Sequence, residues 1–192
     1  LGCTVFGTLS LVFYLILGMA FVAAALELSG LGWQPYILST GFKLHYLGYL
    51  GAAASAVNIF APFLSKFLIK KIKYERYYLA FTNFIVAAVF ISFFYLMSPI
   101  VAGLTFIFIG MKYGLERPVM NPYFQKFVPS KIRATVGSLQ GAARSIGWIV
   151  GDIVAILFMD SLGVQNIMGI AGILLLPAIF FFFKAKKPEK EK

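Results

Sequence analysis

The sequence predicts an all-α, polytopic membrane protein with six transmembrane helices. Apolar residues make up 60% of the 192 residues and charged residues only 12%, whereas soluble domains are about half apolar and about a quarter charged. The apolar residues fall into six long segments, and about 20 such residues cross the hydrocarbon core of a bilayer. We expect one bundle over residues 1–183, with spans at roughly 5–38, 44–68, 77–96, 100–124, 134–158 and 167–183, followed by a charged cytoplasmic tail at 184–192.

The distribution of positive charge predicts the orientation of these spans. The net charge of +10 does not indicate nucleic acid, because a nucleic-acid binder gathers its basic residues on one exposed face. The turns after spans one, three and five contain only Lys43, whereas the basic segment 66–76 at the end of span two, the turn after span four and the tail contain five, three and five Lys or Arg residues. Cytoplasmic turns keep the excess of positive charge, so both termini should be cytoplasmic.

The first span is longer than a straight crossing requires and carries an acid. Gly30, Gly32 and Pro35 predict a broken or kinked outer end. On a helical wheel Glu27 shares its side with small residues and, if the helix continues, with Gln34, which indicates a narrow face lining a cavity. The alternative is a glutamate at the level of the lipid headgroups.

Small and polar residues mark one face of the second span. Gly51, Ala54, Ser55 and Asn58 recur at helical spacing, a pattern that lets membrane helices approach closely. We expect this face to pack against another helix and include Asn58 among the candidate site residues.

The fourth span contains charges that a bilayer would ordinarily reject. An ionisable group at mid-bilayer costs about 2.5–3.5 kcal/mol, so such groups usually face a bundle interior or a watery cavity. Lys112 and Glu116 are spaced i and i+4 and share a face with Tyr113, while Arg117 points about 100° away. This face predicts a polar, aromatic cavity wall; the alternative is a lysine–glutamate pair that only neutralises itself. Pro118 and Pro122 also loosen the backbone here, as is tolerated in a helix that lines water.

The fifth span divides into two faces around Arg144. The branched residues lie opposite Arg144, whereas Trp148 and Asp152 lie on or near its side together with a run of small residues: Gly137, Gly141, Gly147, Gly151 and Ala155. This division predicts that the Arg144 face packs on protein and the branched face on lipid. Arg144 should have a carboxylate partner, namely Asp152, Glu27 or Glu116, unless it serves as scaffolding through backbone carbonyls.

Six spans with a basic loop after the second and a polar fourth span resemble the C-terminal half of a major facilitator superfamily transporter. The segment SGLGWQPYILSTG is similar to the kinked first helix of that half, VPSKIRATVGSLQGAARSIG to its loop and penultimate helix, and MDSLG to its outer turn. The most distinctive piece is P-x-x-x-R-A-T-x-x-S at residues 129–138. Leu64-Ser65-Lys66 stands near the Asp-Arg position of the family's loop motif, so the acid of that motif is absent.

The resemblance implies a secondary active transporter that works by alternating access between two six-helix halves. The expected partners are membrane lipid, a small-molecule substrate and a second half, in the same chain or another subunit, in the plasma (inner) membrane. Proton-coupled export of amphipathic compounds, with Glu27 and Asp152 as protonatable groups, is slightly favoured. The alternative is uptake of an organic anion or sugar, with Lys112, Arg117 or Arg144 as counter-charges to an anion.

Two hypotheses come from other classes: a non-transporting membrane subunit or fragment, and a membrane-embedded enzyme. An enzyme is not expected, because the sequence contains no HExxH, no GxSxG and a single histidine, and neither a metal nor a cofactor is expected. The candidate residues for substrate or coupling ion are Glu27, Gln34, Asn58, Lys112, Tyr113, Glu116, Arg117, Arg144, Trp148 and Asp152.

Overall fold

The computed structural model describes residues 2–95, 98–126 and 128–185. Within these ranges the chain is helical and contains no β-strand. A short 3-10 turn over Ser130–Ile132 precedes the fifth α-helix. The helices are α1 (Gly2–Ser39), α2 (Tyr46–Ile72), α3 (Glu75–Ser92), α4 (Pro99–Gln125), α5 (Arg133–Leu162) and α6 (Val164–Lys184).

Five segments of this fold are long and apolar enough to cross a membrane: Leu9–Ser39, Tyr46–Ile72, Pro99–Gln125, Ser130–Leu162 and Val164–Lys184. The remaining helix, α3, is shorter than the others, with 18 residues. It is also more polar, because it contains Glu75, Arg76 and Asn83. The predicted all-α membrane fold is therefore confirmed, while the count of six spans stays a prediction. Of the predicted tail at 184–192, residues 186–192 lie outside the described residues.

The outer end of α1 was predicted to be broken or kinked, and a break is wrong, while a kink stays a prediction. The helix continues through Pro35 to Ser39. Pro35 removes one backbone donor, but packing on both sides of it holds the helix together: Trp33 stacks on Phe106 with ring centroids 4.0 Å apart, and Tyr36 is buried against Phe93.

The turn between the last two helices is also shorter than predicted. A turn was expected over residues 160–166, but α5 extends to Leu162 and α6 begins at Val164. Gly163 alone separates them, with φ of +79°. Side-chain-bearing residues rarely adopt this backbone conformation, so glycine allows the chain to reverse within one residue.

The helices alternate in direction, and contacts at both ends of the bundle fix their order. At the end rich in basic residues, Lys126 and Glu75 form an ion pair of 3.6 Å, and the Tyr123 hydroxyl donates to the carbonyl of Ala185 over 2.8 Å. At the opposite end the Gln165 amide donates to the carbonyl of Phe93 over 2.7 Å. The starts of α3 and α5 and the ends of α2, α4 and α6 therefore share one side of the bundle.

Two glycine-mediated contacts bring helix backbones together. Gly147 and Gly151 of α5 meet the backbone of α1 so closely that a methyl group on either would clash with the carbonyl of Ala20 or Ala24. In the same way Gly110 and Gly114 of α4 meet α2, where Ala54, Asn58 and Ala61 face them. The predicted packing faces of the second and fifth spans are thus confirmed at these positions. Gly137 and Gly141, assigned to the same face of α5, instead have open space around them.

We predict that Gly147→Ala destabilises the protein by about 1–3 kcal/mol, the usual cost of forcing extra atoms into a packed contact. The matched control is Gly141→Ala on the same helix, where open space and the higher helix propensity of alanine should leave stability unchanged or raise it by about 0.5–1 kcal/mol. Thermal unfolding of the detergent-purified variants measures both. Equal stabilities for the two variants would show that the α1–α5 contact is not close-packed.

Candidate functional site

A cavity of about 140 Å³ lies between α1, α4 and α5. Helix α1 contributes an apolar strip, α4 contributes most of the polar groups, and α5 contributes one cation and one aromatic ring. Tyr113 and Trp148 are 42% and 46% exposed, so the cavity is open on one side. The residues that line it are Met19, Val22, Ala23, Leu26, Tyr113, Glu116, Arg117, Met120, Asn121, Arg144 and Trp148.

Glu116 is the acid of the cavity wall, and hydrogen bonds from α3 and α4 fix its carboxylate. Its Oε2 accepts from Lys112 Nζ over 3.0 Å. Its Oε1 accepts from Asn83 Nδ2 over 2.7 Å and lies 3.1 Å from the Thr82 hydroxyl. Lys112 and Glu116 are 2% and 12% exposed. Both carboxylate oxygens are therefore engaged, and the charge of Glu116 is offset by a buried cation.

Lys112 lies inside this network and does not line the cavity. The structure therefore places Lys112 behind the predicted wall: its buried ammonium reaches Glu116 Oε2, while Glu116 itself lines the cavity. In contrast, Tyr113, Glu116, Arg117, Arg144 and Trp148 all line the cavity, as the polar face of the fourth span and the Arg144 face of the fifth predict.

The two arginines of the wall have no carboxylate partner. Among the described residues the only ion pairs are Lys112–Glu116 and Lys126–Glu75, so the structure pairs Arg144 with none of its three predicted acids. Arg144 is half-buried, and the guanidinium of Arg117 stands 5.8 Å from the centre of the Tyr113 ring. That separation is within the range of a cation–π contact.

Hydrogen bonds from α2 and α3 support the α4 wall at the turn where Pro118 interrupts its backbone hydrogen bonds. Pro118 has no amide hydrogen and leaves the carbonyl one turn earlier, at Gly114, without its usual donor. In the same turn the Leu115 carbonyl lies 2.8 Å from the Ser65 hydroxyl of α2 and 2.9 Å from the Tyr78 hydroxyl of α3. Three helices are therefore connected by hydrogen bonds next to the cavity. Ser65 is the central residue of the Leu64-Ser65-Lys66 segment, and its buried hydroxyl gives that segment a structural contact with α4.

The other predicted site residues lie outside the cavity lining. Gln34 and Asn58 are exposed, and Asn58 packs on Gly114 between α2 and α4. Glu27 and Asp152 are half-buried, and Glu27 stands against Gly151 where α1 crosses α5. Glu27 is nevertheless within electrostatic reach of the Tyr113 hydroxyl, together with Glu116 and both arginines.

The residues of α3 that hold Glu116, Asn83 and Thr82, were not among the predicted site residues. Asn83 is fully buried, and its Oδ1 atom has no hydrogen-bond partner. An asparagine within an apolar span was an available signal, since buried polar groups need partners. Asn121, between the two prolines, was a second such signal. Over residues 2–95, 98–126 and 128–185, no three His, Cys, Asp or Glu side chains are grouped so as to hold a metal ion.

Apolar helices around a charged, open cavity define an integral membrane protein. Comparison with known proteins places it more narrowly: residues 4–152 match the profile of the Major Facilitator Superfamily. The chain belongs to this family of membrane transporters.

A relative in Bacillus subtilis (strain 168) is the uncharacterized MFS-type transporter YxaM, which is 23% identical over 175 residues. The matched region is 89% of this chain and 43% of YxaM, so the chain spans less than half the length of that relative. No solved structure matches the chain.

We predict a non-additive result when the buried pair is replaced. Glu116→Met should destabilise the protein by about 3–5 kcal/mol, because it leaves Lys112 buried without a counter-charge. Lys112→Met should cost less, since Glu116 keeps its contacts with Asn83 and Thr82. The double variant should recover most of the loss, because methionine fills a similar volume without charge.

Denaturant or thermal unfolding of the four proteins in detergent measures this cycle. The exposed ion pair Lys126–Glu75 supplies the control, and the same replacements there should change stability by less than about 1 kcal/mol. Additive losses at Lys112 and Glu116 would contradict the network as described.

Proposed function

We propose that this chain forms one six-helix half of a secondary active transporter that moves a small organic solute by alternating access. The observation that carries the proposal is the cavity between α1, α4 and α5, with charged groups at the depth of the membrane and one open side. Membership of the Major Facilitator Superfamily supports it. Transporters of this kind bind their solute near the bilayer midplane, between repeats that rock against each other.

Two observations support a second half: the exposed apolar faces of α2 and α5, and the match to only part of YxaM. Apolar residues on α2 and α5 are widely exposed, among them Phe60 at 69%, Phe63 at 74% and Ile156 at 77%. These faces pack on lipid, on a second half, or on both. The match to only 43% of YxaM is consistent with a further bundle, in the same polypeptide or in another subunit, that closes the open side of the cavity.

We further propose that the protein resides in the plasma membrane with both termini in the cytoplasm. The alternation of Lys and Arg between successive turns supports this orientation. The structure groups the basic ends of α2 and α4 on one side, where Lys126 meets Glu75. Lys184, at the end of α6, is on the same side, next to the end of α4.

Proton coupling is proposed through Glu27, with Asp152 as a neighbouring acid on α5. Neither acid forms an ion pair within the described ranges, and both are half-buried. Glu27 packs against Gly151 at the α1–α5 crossing, next to the helix that carries Arg144 and Trp148. Export of amphipathic compounds is the direction we propose, in keeping with the mostly apolar cavity wall.

The orientation predicts which single cysteines react with a membrane-impermeant thiol reagent applied outside cells. Cys3 is the one cysteine of the chain, so Cys3→Ser provides the background. Cysteines at Thr40, Ser98 and Ser161 should be labelled from outside. Cysteines at Lys71 and Ser130 should be labelled only after the membrane is permeabilised. A cysteine at any of the first three positions that reacts only after permeabilisation contradicts the proposed topology.

Transport is tested with the intact protein in proteoliposomes under an imposed pH gradient. The radiolabelled probes are benzenesulfonate, phenyltrimethylammonium and glucose, which represent anion, cation and sugar without crossing the bilayer readily. At least one should accumulate several-fold above equilibrium relative to protein-free vesicles. Glu27→Gln should abolish this accumulation and leave probe exchange intact, because glutamine cannot carry a proton.

Unchanged accumulation in Glu27→Gln contradicts the coupling role of Glu27. Asp152→Asn serves as the matched variant for the second acid and separates the two carboxylates. Failure of all three probes to enter above the protein-free level contradicts the proposed transport function and favours a non-transporting subunit.

A further inference from the structure

The charges that line the cavity do not balance. Arg117 and Arg144 both line it, and neither meets an acid among the described residues. Glu116, the one acid of the lining, is already neutralised by the buried Lys112. The lining therefore carries an excess of two positive charges, while Glu27 lies outside it at the α1–α5 crossing.

Arginine cannot relieve this excess by losing its proton, since guanidinium stays charged in proteins. A lysine or an acid at the same depth could become neutral instead. A cationic solute would have to enter against two fixed like charges. An anionic solute would supply the missing counter-charge, and the planar guanidinium offers paired N–H donors that match carboxylate, sulfonate or phosphate oxygens.

Apart from Asn121, the rest of the lining is apolar or aromatic. Trp148 is 46% exposed at the cavity, and Met19, Leu26 and Met120 complete an apolar wall. The volume of about 140 Å³ is close to that of engineered apolar cavities of ~150 Å³ that bind benzene. One ring-sized apolar group therefore fits in the cavity against this apolar wall.

We infer that the cavity binds an amphipathic organic anion, with its acid group between Arg117 and Arg144 and a ring-sized apolar group against Trp148. The inference rests on the proposed transport function and specifies the class of its substrate. It gives each arginine a role as an anion ligand and assigns Glu116 a positioning role through Lys112 and Asn83.

Direct binding tests this inference separately from transport. The chain has two tryptophans, and Trp33 stacks on Phe106 away from the cavity. In Trp33→Phe, Trp148 is therefore the sole tryptophan reporter. We expect benzenesulfonate to change its fluorescence saturably in the intact, purified protein, and phenyltrimethylammonium, which has a similar size and the opposite charge, to bind at least about tenfold more weakly.

The arginine variants identify the anion ligands. In the same background Arg117→Gln and Arg144→Gln should each weaken benzenesulfonate binding by about tenfold or more, as expected when a charge-assisted hydrogen bond is lost. Arg144→Lys should recover part of the loss by restoring the charge without the paired donors. Arg133→Gln removes a charge at the exposed start of α5 and should leave binding unchanged.

Three results would overturn the inference: no saturable response to benzenesulfonate, equal or tighter binding of phenyltrimethylammonium, or unchanged anion binding in the Arg117→Gln/Arg144→Gln double variant. Transport of phenyltrimethylammonium or glucose together with any of these results would leave the transporter proposal standing and remove only the anion class. Charge-selective binding without transport would leave the anion-binding site standing and remove the transporter proposal.

Discussion

The ion pair between Lys112 and Glu116 is the interaction on which the cavity depends. Within a membrane, each of these charges alone would cost several kcal/mol, so the two are stable only together and with further hydrogen bonds. Asn83 and Thr82 on α3 supply those hydrogen bonds. The network joins α3 to α4 and fixes the orientation of Glu116. It also removes Glu116 as a counter-charge, which leaves the two arginines of the cavity available to a solute.

Close backbone packing by small residues positions the cavity walls around this network. Membrane helices gain little hydrophobic energy by associating, so they rely on van der Waals contact and interhelical hydrogen bonds. Gly147 and Gly151 bring α5 onto α1, and Gly110 and Gly114 bring α4 onto α2. The hydroxyls of Ser65 and Tyr78 then converge on the Leu115 carbonyl. The cavity is the space between α5, held against α1, and α4, held against α2, and polar side chains line it.

The helices were predictable because hydropathy and basic turns dominate this sequence. The predicted limits of the fourth span, 100–124, differ by one residue at each end from Pro99–Gln125. The errors arose where packing decides the outcome. Gly163 makes a turn that composition alone suggested was longer, and contacts of Trp33 and Tyr36 keep α1 helical through Pro35.

The cavity itself was predictable only in part. The depth of Arg117 and Arg144 in apolar segments indicated an interior position, and both line the cavity. A helical wheel does not show which neighbouring helix covers a given residue, so it placed Lys112 on the cavity wall, where the structure buries Lys112 behind Glu116. For the same reason it did not reveal that Asn58 packs on Gly114 or that Asn83 holds Glu116. Partners from distant parts of the chain depend on the helix order, which the sequence pattern does not specify.

Charges within these helices are divided between a buried, self-neutralised pair and two arginines that line an open cavity. The most direct test is water access at positions 112, 117 and 144, measured by the reaction of single cysteines with a hydrophilic thiol reagent. The measurement uses the intact, membrane-embedded protein in the Cys3→Ser background. We predict rapid reaction at 117 and 144, and reaction at 112 only after denaturation. Equal reactivity at all three positions, or protection at 117 and 144, would contradict the division of charges described above.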